Sequence, residues 1–170
     1  MGYYVSGNGA LRIKAENLGK AYEALMALQD APPKAKRGGS SGGGQEPRFW
    51  YSWMPEDLRT LKDTKEVFDT LGFETTIDDS NGDLVITCYE NKTGQEDVFF
   101  AAAAPFIEDG EYEWTGEDGA FWLWKFEDGR MFVRQGTRGY GEREEVSVAL
   151  HLRNRLRRWS ALRRSTPRSS

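Results

Sequence analysis

Thiol and imidazole are nearly missing from this chain: Cys88 is its one cysteine and His151 its one histidine. A single cysteine excludes an intrachain disulfide, and with it the cysteine frameworks of small secreted domains. Two Cys/His side chains fall short of the three or four ligands of a zinc centre. Cys88 reads as a small buried apolar residue beside Ile86 rather than a nucleophile, and nothing brings His151 to it as a base. Long apolar runs are missing too. The longest, residues 98–107, is too short to cross a bilayer, and no basic-then-apolar leader opens the chain. A soluble, cytoplasmic protein without membrane contact is expected. The glycine-rich run Gly38-Gly-Ser-Ser-Gly-Gly-Gly44 lacks the lysine of a phosphate loop. Asp78-Asp-Ser-Asn-Gly-Asp83 lacks the residue order of a calcium loop, and Cys88 stands where its closing glutamate would be. No metal and no cofactor is expected.

Basic residues are scarce in one region and acids in another. Residues 78–118 hold twelve acids and a single base, Lys92, a net charge of −11. The acids are Asp78, Asp79, Asp83, Glu90, Glu96, Asp97, Glu108, Asp109, Glu111, Glu113, Glu117 and Asp118. Residues 151–170 hold seven arginines and no acid. The formal net charge of −4 conceals this segregation. An acidic body repels nucleic acid, whereas an arginine-rich tail attracts phosphates.

Aliphatic residues are also few. The hydrophobic share is 38% and the aromatic share 13%, so large rings are expected to build the core. Residues 3–13 read as a first strand with Tyr3, Val5, Leu11 and Ile13 on one face, interrupted at Gly7-Asn8-Gly9 as a bend, a bulge or a hairpin turn would interrupt it. Leu18, Ala21, Tyr22, Leu25 and Leu28 recur at helical spacing. Residues 31–47, rich in Gly, Ser and Pro, read as a flexible loop. A short strand over 48–54 precedes a helix from Pro55 to Gly72, with Leu58, Leu61, Lys65, Phe68 and Leu71 marking one face. Strands at 73–77 and from Leu84 flank the hairpin signal Asn81-Gly82, with Leu84, Ile86 and Cys88 on one face. A buried helix starting near Gln95 stops before Pro105. Strands at 111–115, 120–126 and from Met131 form a meander, the last turn being Asp128-Gly129. The fold class is α+β: a ferredoxin-like antiparallel sheet with helices on one face, over residues 1–136. Residues 137–145 read as a linker, 146–164 as a basic amphipathic helix and 165–170 as a disordered tail.

Several blocks carry a resemblance. Met1-Gly-Tyr-Tyr-Val-Ser-Gly-Asn-Gly9, Trp50-Tyr-Ser-Trp-Met54, Asn91-Lys-Thr-Gly-Gln-Glu96 and Trp114-Thr-Gly-Glu-Asp-Gly119 with Trp122 and Trp124 are similar to a family of small proteins of phages, prophages and mobile elements. The resemblance spans residues 1–136 and leaves out the arginine-rich tail. It brings no assigned activity. It implies an accessory protein of a mobile element, working inside a host cell.

Three surfaces are candidates for function. The twelve acids, on a rigid sheet, would resemble phosphates and occupy the basic groove of a nucleic-acid-handling partner. That reading makes the protein a non-enzymatic inhibitor of a host defence complex, of anti-CRISPR type or similar. The blander reading is a hydrated surface, since most of these acids sit in turns. Trp50, Trp53, Trp114, Trp122 and Trp124, with Arg130 or Arg134, would form a stacking pocket for a nucleotide-like ligand, making the protein a sponge for an immune signal. The competing reading is core packing. Arg153, Arg155, Arg157, Arg158, Arg163 and Arg164 of the tail would bind phosphates, pair with the acidic body, or join two copies through the helix. Catalysis by Glu90 or Glu113 is the weakest reading, because no partner group with an opposed pKa is evident.

Overall fold

The computed structural model describes residues 2–40 and 46–137. The linker, basic helix and tail expected beyond them lie outside the described residues, as does the body of the Gly/Ser run. Residues 1–137 form one compact unit, an α+β body with a mostly antiparallel sheet and three α-helices.

The chain opens with β1 (Tyr4–Gly9) and β2 (Leu11–Ile13), one bent strand interrupted at Ala10. Val5, Leu11 and Ile13 are buried, as their shared parity requires. α1 (Leu18–Met26) follows a 3-10 turn and buries Ala21 and Leu25. Part of the expected loop is ordered: β3 (Gly38–Ser40) pairs antiparallel with β4 (Arg48–Trp50). The helix expected from Pro55 is shorter than its periodicity. Residues Leu58–Thr60 form a 3-10 turn, and α2 starts only at Thr64 (Thr64–Leu71). The Asp63 carboxylate accepts the Glu66 N–H at 2.8 Å, and the Glu66 carboxylate accepts the Lys62 N–H at 2.6 Å. This reciprocal cap fixes the start of the helix. Gly72 ends it in the left-handed region.

β5 (Phe73–Ile77) and β6 (Leu84–Lys92) form the next hairpin, followed by α3 (Glu96–Ala103). β7 (Gly110–Gly116), β8 (Phe121–Glu127) and β9 (Arg130–Gln135) complete the meander. Asp128 and Gly129 both have positive φ, 52° and 69°, the conformation a two-residue hairpin loop needs. The sheet runs β5–β6–β1/β2–β7–β8–β9, antiparallel throughout. The order of its first four members is compatible with a ferredoxin-like plan.

One face of the sheet is covered. Phe68 of α2 and Phe100 of α3 pack on Phe73, and Phe100 also meets Trp124 and Phe126. Tyr112, Trp114 and Trp124 form a continuous ring cluster behind them. Each fully buried ring contributes about 2–3 kcal/mol of transfer free energy, so large rings compensate for few aliphatics. Cys88 differs from expectation. Tyr89 pairs with Phe73, whereas Ile86 pairs with Thr75, so a bulge shifts the register. The bulge turns Tyr89 inward and leaves Cys88 exposed.

Candidate functional site

The opposite face of the sheet bears no described helix. Residues directly across a ladder share a face, and three rows can be read from the register. Glu90, Ser6, Thr115 and Phe121 form one; Asn8, Glu113, Leu123 and Arg134 a second; Glu111, Lys125 and Phe132 a third. Glu74 of β5 alternates with buried Phe73 and falls on this open face as well. It lay just outside the acidic window drawn from sequence. Glu90 and Glu113 flank β1, two strand spacings (about 10 Å) apart with an offset of about 7 Å along the strand. A recess of about 400 Å³ opens here, lined by Tyr4, Ser6, Glu90, Thr115 and Glu117 among others. Tyr4 is 52% exposed, and the Lys92 ammonium lies 5.2 Å from its ring centre. Among the described residues, Glu74, Glu90, Glu111, Glu113 and Glu117 make no ion pair.

The other acids do not join this strip. Asp78, Asp83 and Glu108 surround Arg12 at 3.0, 3.2 and 4.0 Å, and Lys14 reaches Glu108 at 3.4 Å. Asp83 also accepts the Ala15 N–H at 2.9 Å. This knot ties the 78–83 turn to β2 and to the segment before β7. The hydroxyl of Ser80 first, and then the Arg12 guanidinium, hold the Asp78 carboxyl down at about 2. Asp79 is exposed at the hairpin tip, and Asp109 accepts the Asp128 N–H at 3.1 Å. Asp118 accepts the Tyr3 hydroxyl and the Ala120 N–H, and the Tyr3 hydrogen bond lowers its pKa.

Glu96 is inside the protein, 4% exposed. Its carboxylate accepts the Gly94 N–H at 2.7 and 2.9 Å, the Tyr89 hydroxyl at 2.8 Å and the Thr93 hydroxyl at 3.3 Å. Burial, and then the Glu96 charge, push the Tyr89 phenol well above its ordinary range. Glu96 is therefore a structural acid, not part of a surface. Asp97, its neighbour, is exposed on the helix-bearing side.

The aromatic set also divides. Trp114 and Trp124 are core residues, and Trp122 stacks parallel to Trp114 with ring centres 5.9 Å apart while remaining half-buried. Trp50 packs on Gly38 within the small β3–β4 hairpin. Trp53 is 54% exposed and has a φ of 69°, unusual for so large a side chain. Such a conformation costs about 1–3 kcal/mol and needs support from its surroundings. The support comes from Gly94: a Cβ there would lie 2.4 Å from the Trp53 indole, so glycine lets the ring lie flat on the loop. Arg130 and Arg134 do not accompany the tryptophans. They pair with Glu127 and Leu123, on the sheet face away from Trp122 and Trp124.

Arg37, which sequence reasoning passed over, is the cation on the tryptophan side. Gln95 places it. This buried amide, 4% exposed, accepts the N–H groups of Arg37 (2.8 Å) and Ser52 (3.4 Å) and donates to the Ala35 carbonyl (2.8 Å). A cavity of about 400 Å³ lies beside it, between the start of α3 and strands β8 and β9. Among the described residues, no group of three or more His, Cys, Asp or Glu side chains is disposed to hold a metal ion, and no helix is long and apolar enough to cross a membrane.

No family model matches the chain, and neither a curated protein nor a solved structure matches it. The fold and the site define a class: an α+β domain with one sheet face packed under helices and one carrying glutamates that make no ion pair with a described base, although Lys125 stands across the ladder from Glu111.

Proposed function

We propose that the protein is a non-enzymatic, phage-type accessory protein that binds a basic, nucleic-acid-directed host complex through the open sheet face and inhibits it in the host cytoplasm. On this reading the body is a ferredoxin-like unit extended by β8 and β9, and the acids act in place of phosphates. The working set is Glu74, Glu90, Glu111, Glu113 and Glu117, not all twelve acids of the 78–118 window. The observation that carries the reading is the recess lined by Tyr4, Glu90 and Glu117 on a face where these carboxylates have no described ion-pair partner. A recess with carboxylates at its walls suits an arginine or lysine side chain of a partner, the Tyr4 ring beside it already holding the Lys92 ammonium. The strand-supported backbone needs no ordering on binding, while each glutamate rotamer that is fixed costs about 0.5–1.5 kcal/mol.

The test is capture from host lysate at stepped salt, comparing the wild type with a Glu74→Gln/Glu90→Gln/Glu113→Gln triple variant. Retention of a nucleic-acid-binding complex by the wild type, lost in the variant and displaced by excess duplex DNA, is the expected result. A partner held equally by both proteins, or one indifferent to DNA, overturns the proposal.

A further inference from the structure

The cavity beside α3 lies on the opposite side of the sheet from the acidic strip and stands independently of that reading. Its aromatic wall is Trp122 and Trp124, two positions apart on β8, the first half-buried and the second buried. Gly94, Asp97, Arg37 and Gln135 of β9 are also among its lining residues. The volume, about 400 Å³, falls within the range of small-molecule sites. Trp122 is backed by its parallel stack on Trp114, which holds the indole flat.

The charges in this cavity narrow the class of ligand. Among the described residues Arg37 is its one cation, its guanidinium donating to the Gly94 carbonyl at 3.4 Å. The Glu96 oxygens are already taken by Tyr89, Thr93 and Gly94, so Asp97 is the carboxylate left to meet a ligand. One donor group and one acceptor group beside two indoles suit a flat, uncharged heteroaromatic ring with both donors and acceptors on its edge. A polyphosphate would meet two carboxylates for one guanidinium. A simple organic cation would meet Arg37. We propose that this cavity binds a nucleobase in nucleoside form: the base lies against Trp122, its edge is read by Arg37 and Asp97, and nucleotides with phosphate chains are discriminated against.

The experiment is an NMR titration of the full chain, following the six tryptophan indole N–H signals. The probes are adenosine, guanosine, cytidine and uridine, then the 5′-triphosphate of whichever binds, and tetramethylammonium. Expected are saturable shifts of the Trp122 and Trp124 indoles with at least one nucleoside, and binding at least tenfold weaker for its triphosphate. Asp97→Asn should narrow that gap, and Trp122→Ala should weaken the nucleoside at least tenfold with the Trp114 signal still dispersed. The wild-type titration decides alone if that variant fails to fold. Any of three outcomes overturns the proposal: no nucleoside moving these two indoles at millimolar concentration, tetramethylammonium moving them instead, or the triphosphate binding more tightly than the nucleoside.

Discussion

Replacing Gln95 tests whether one buried amide organises the loop that carries Arg37 and the strained Trp53. Its side chain makes two short hydrogen bonds, to Arg37 and Ala35, and a longer one to Ser52. Each such bond is worth about 1 kcal/mol net. Arg37 and Ala35 are exposed residues and both bonds are part-buried, so the cost is set near the sum of the bonds rather than at the larger penalty of a fully buried orphan group. Gln95→Ala should therefore destabilise the body by about 2 kcal/mol. For a domain of this size that is about 8 °C in Tm, at roughly 4 °C per kcal/mol. Gln95→Met separates hydrogen bonding from volume, because it fills the space without replacing the bonds. Urea unfolding followed by tryptophan fluorescence gives the free energy, and amide hydrogen exchange gives the location. Gln95→Met should lose the hydrogen-bond share and Gln95→Ala no less, since it also leaves a cavity, and the Arg37 and Ser52 amides should exchange faster while those of β7 do not. If Gln95→Met costs less than about 0.5 kcal/mol, the amide only fills space and the reasoning fails.

Three further outcomes follow from the same geometry. Asp63→Ala removes the α2 cap and should cost about 1 kcal/mol in urea unfolding, with fraying at Thr64 and Lys65 by hydrogen exchange. Asp78 has a folded-state pKa of about 2 against 3.8 ordinarily, so its contribution is complete above pH 4 and lost as pH falls toward 2. The stability difference between wild type and Asp78→Asn should be constant above that window and shrink within it on acid titration. The Trp114 indole N–H is buried and finds no acceptor among the described residues. Trp114→Phe relieves that orphan donor and should cost under about 1 kcal/mol by thermal unfolding, whereas Trp114→Ala should cost about 3–5 kcal/mol.

Much of the fold was legible because local rules governed it. The alternation of Trp122 and Trp124 and the Asp128-Gly129 turn sufficed for the meander, and the acids before Val98 with Pro105 bracketed α3. Other features had a signal that was missed. Asp63-Thr-Lys-Glu66 is a capping sequence and marks the true start of α2. The two-residue turn at 128–129 fixes Glu127 opposite Arg130, and counting outward puts Arg134 opposite Leu123, away from the tryptophans. The bulge that exposes Cys88 has no local signature, since it depends on how β5 and β6 pair. The neutralisation of Asp78, Asp83 and Glu108 by Arg12 depends on chain order in space, with 66 to 96 residues separating the partners. A window of summed charge cannot distinguish such a knot from an open strip. For the same reason it enlisted buried Glu96 and passed over Glu74.

A footprint of the protein on its captured partner measures the central claim most directly. Backbone amide shifts and exchange protection, compared between free and bound protein, locate the contact. The account predicts changes at Tyr4, Ser6, Glu90, Glu113 and Thr115, with α1 and α2 unchanged and the changes reversed by added salt. Protection confined to α1 and α2, with the β1, β6 and β7 outer face unaffected, would contradict it.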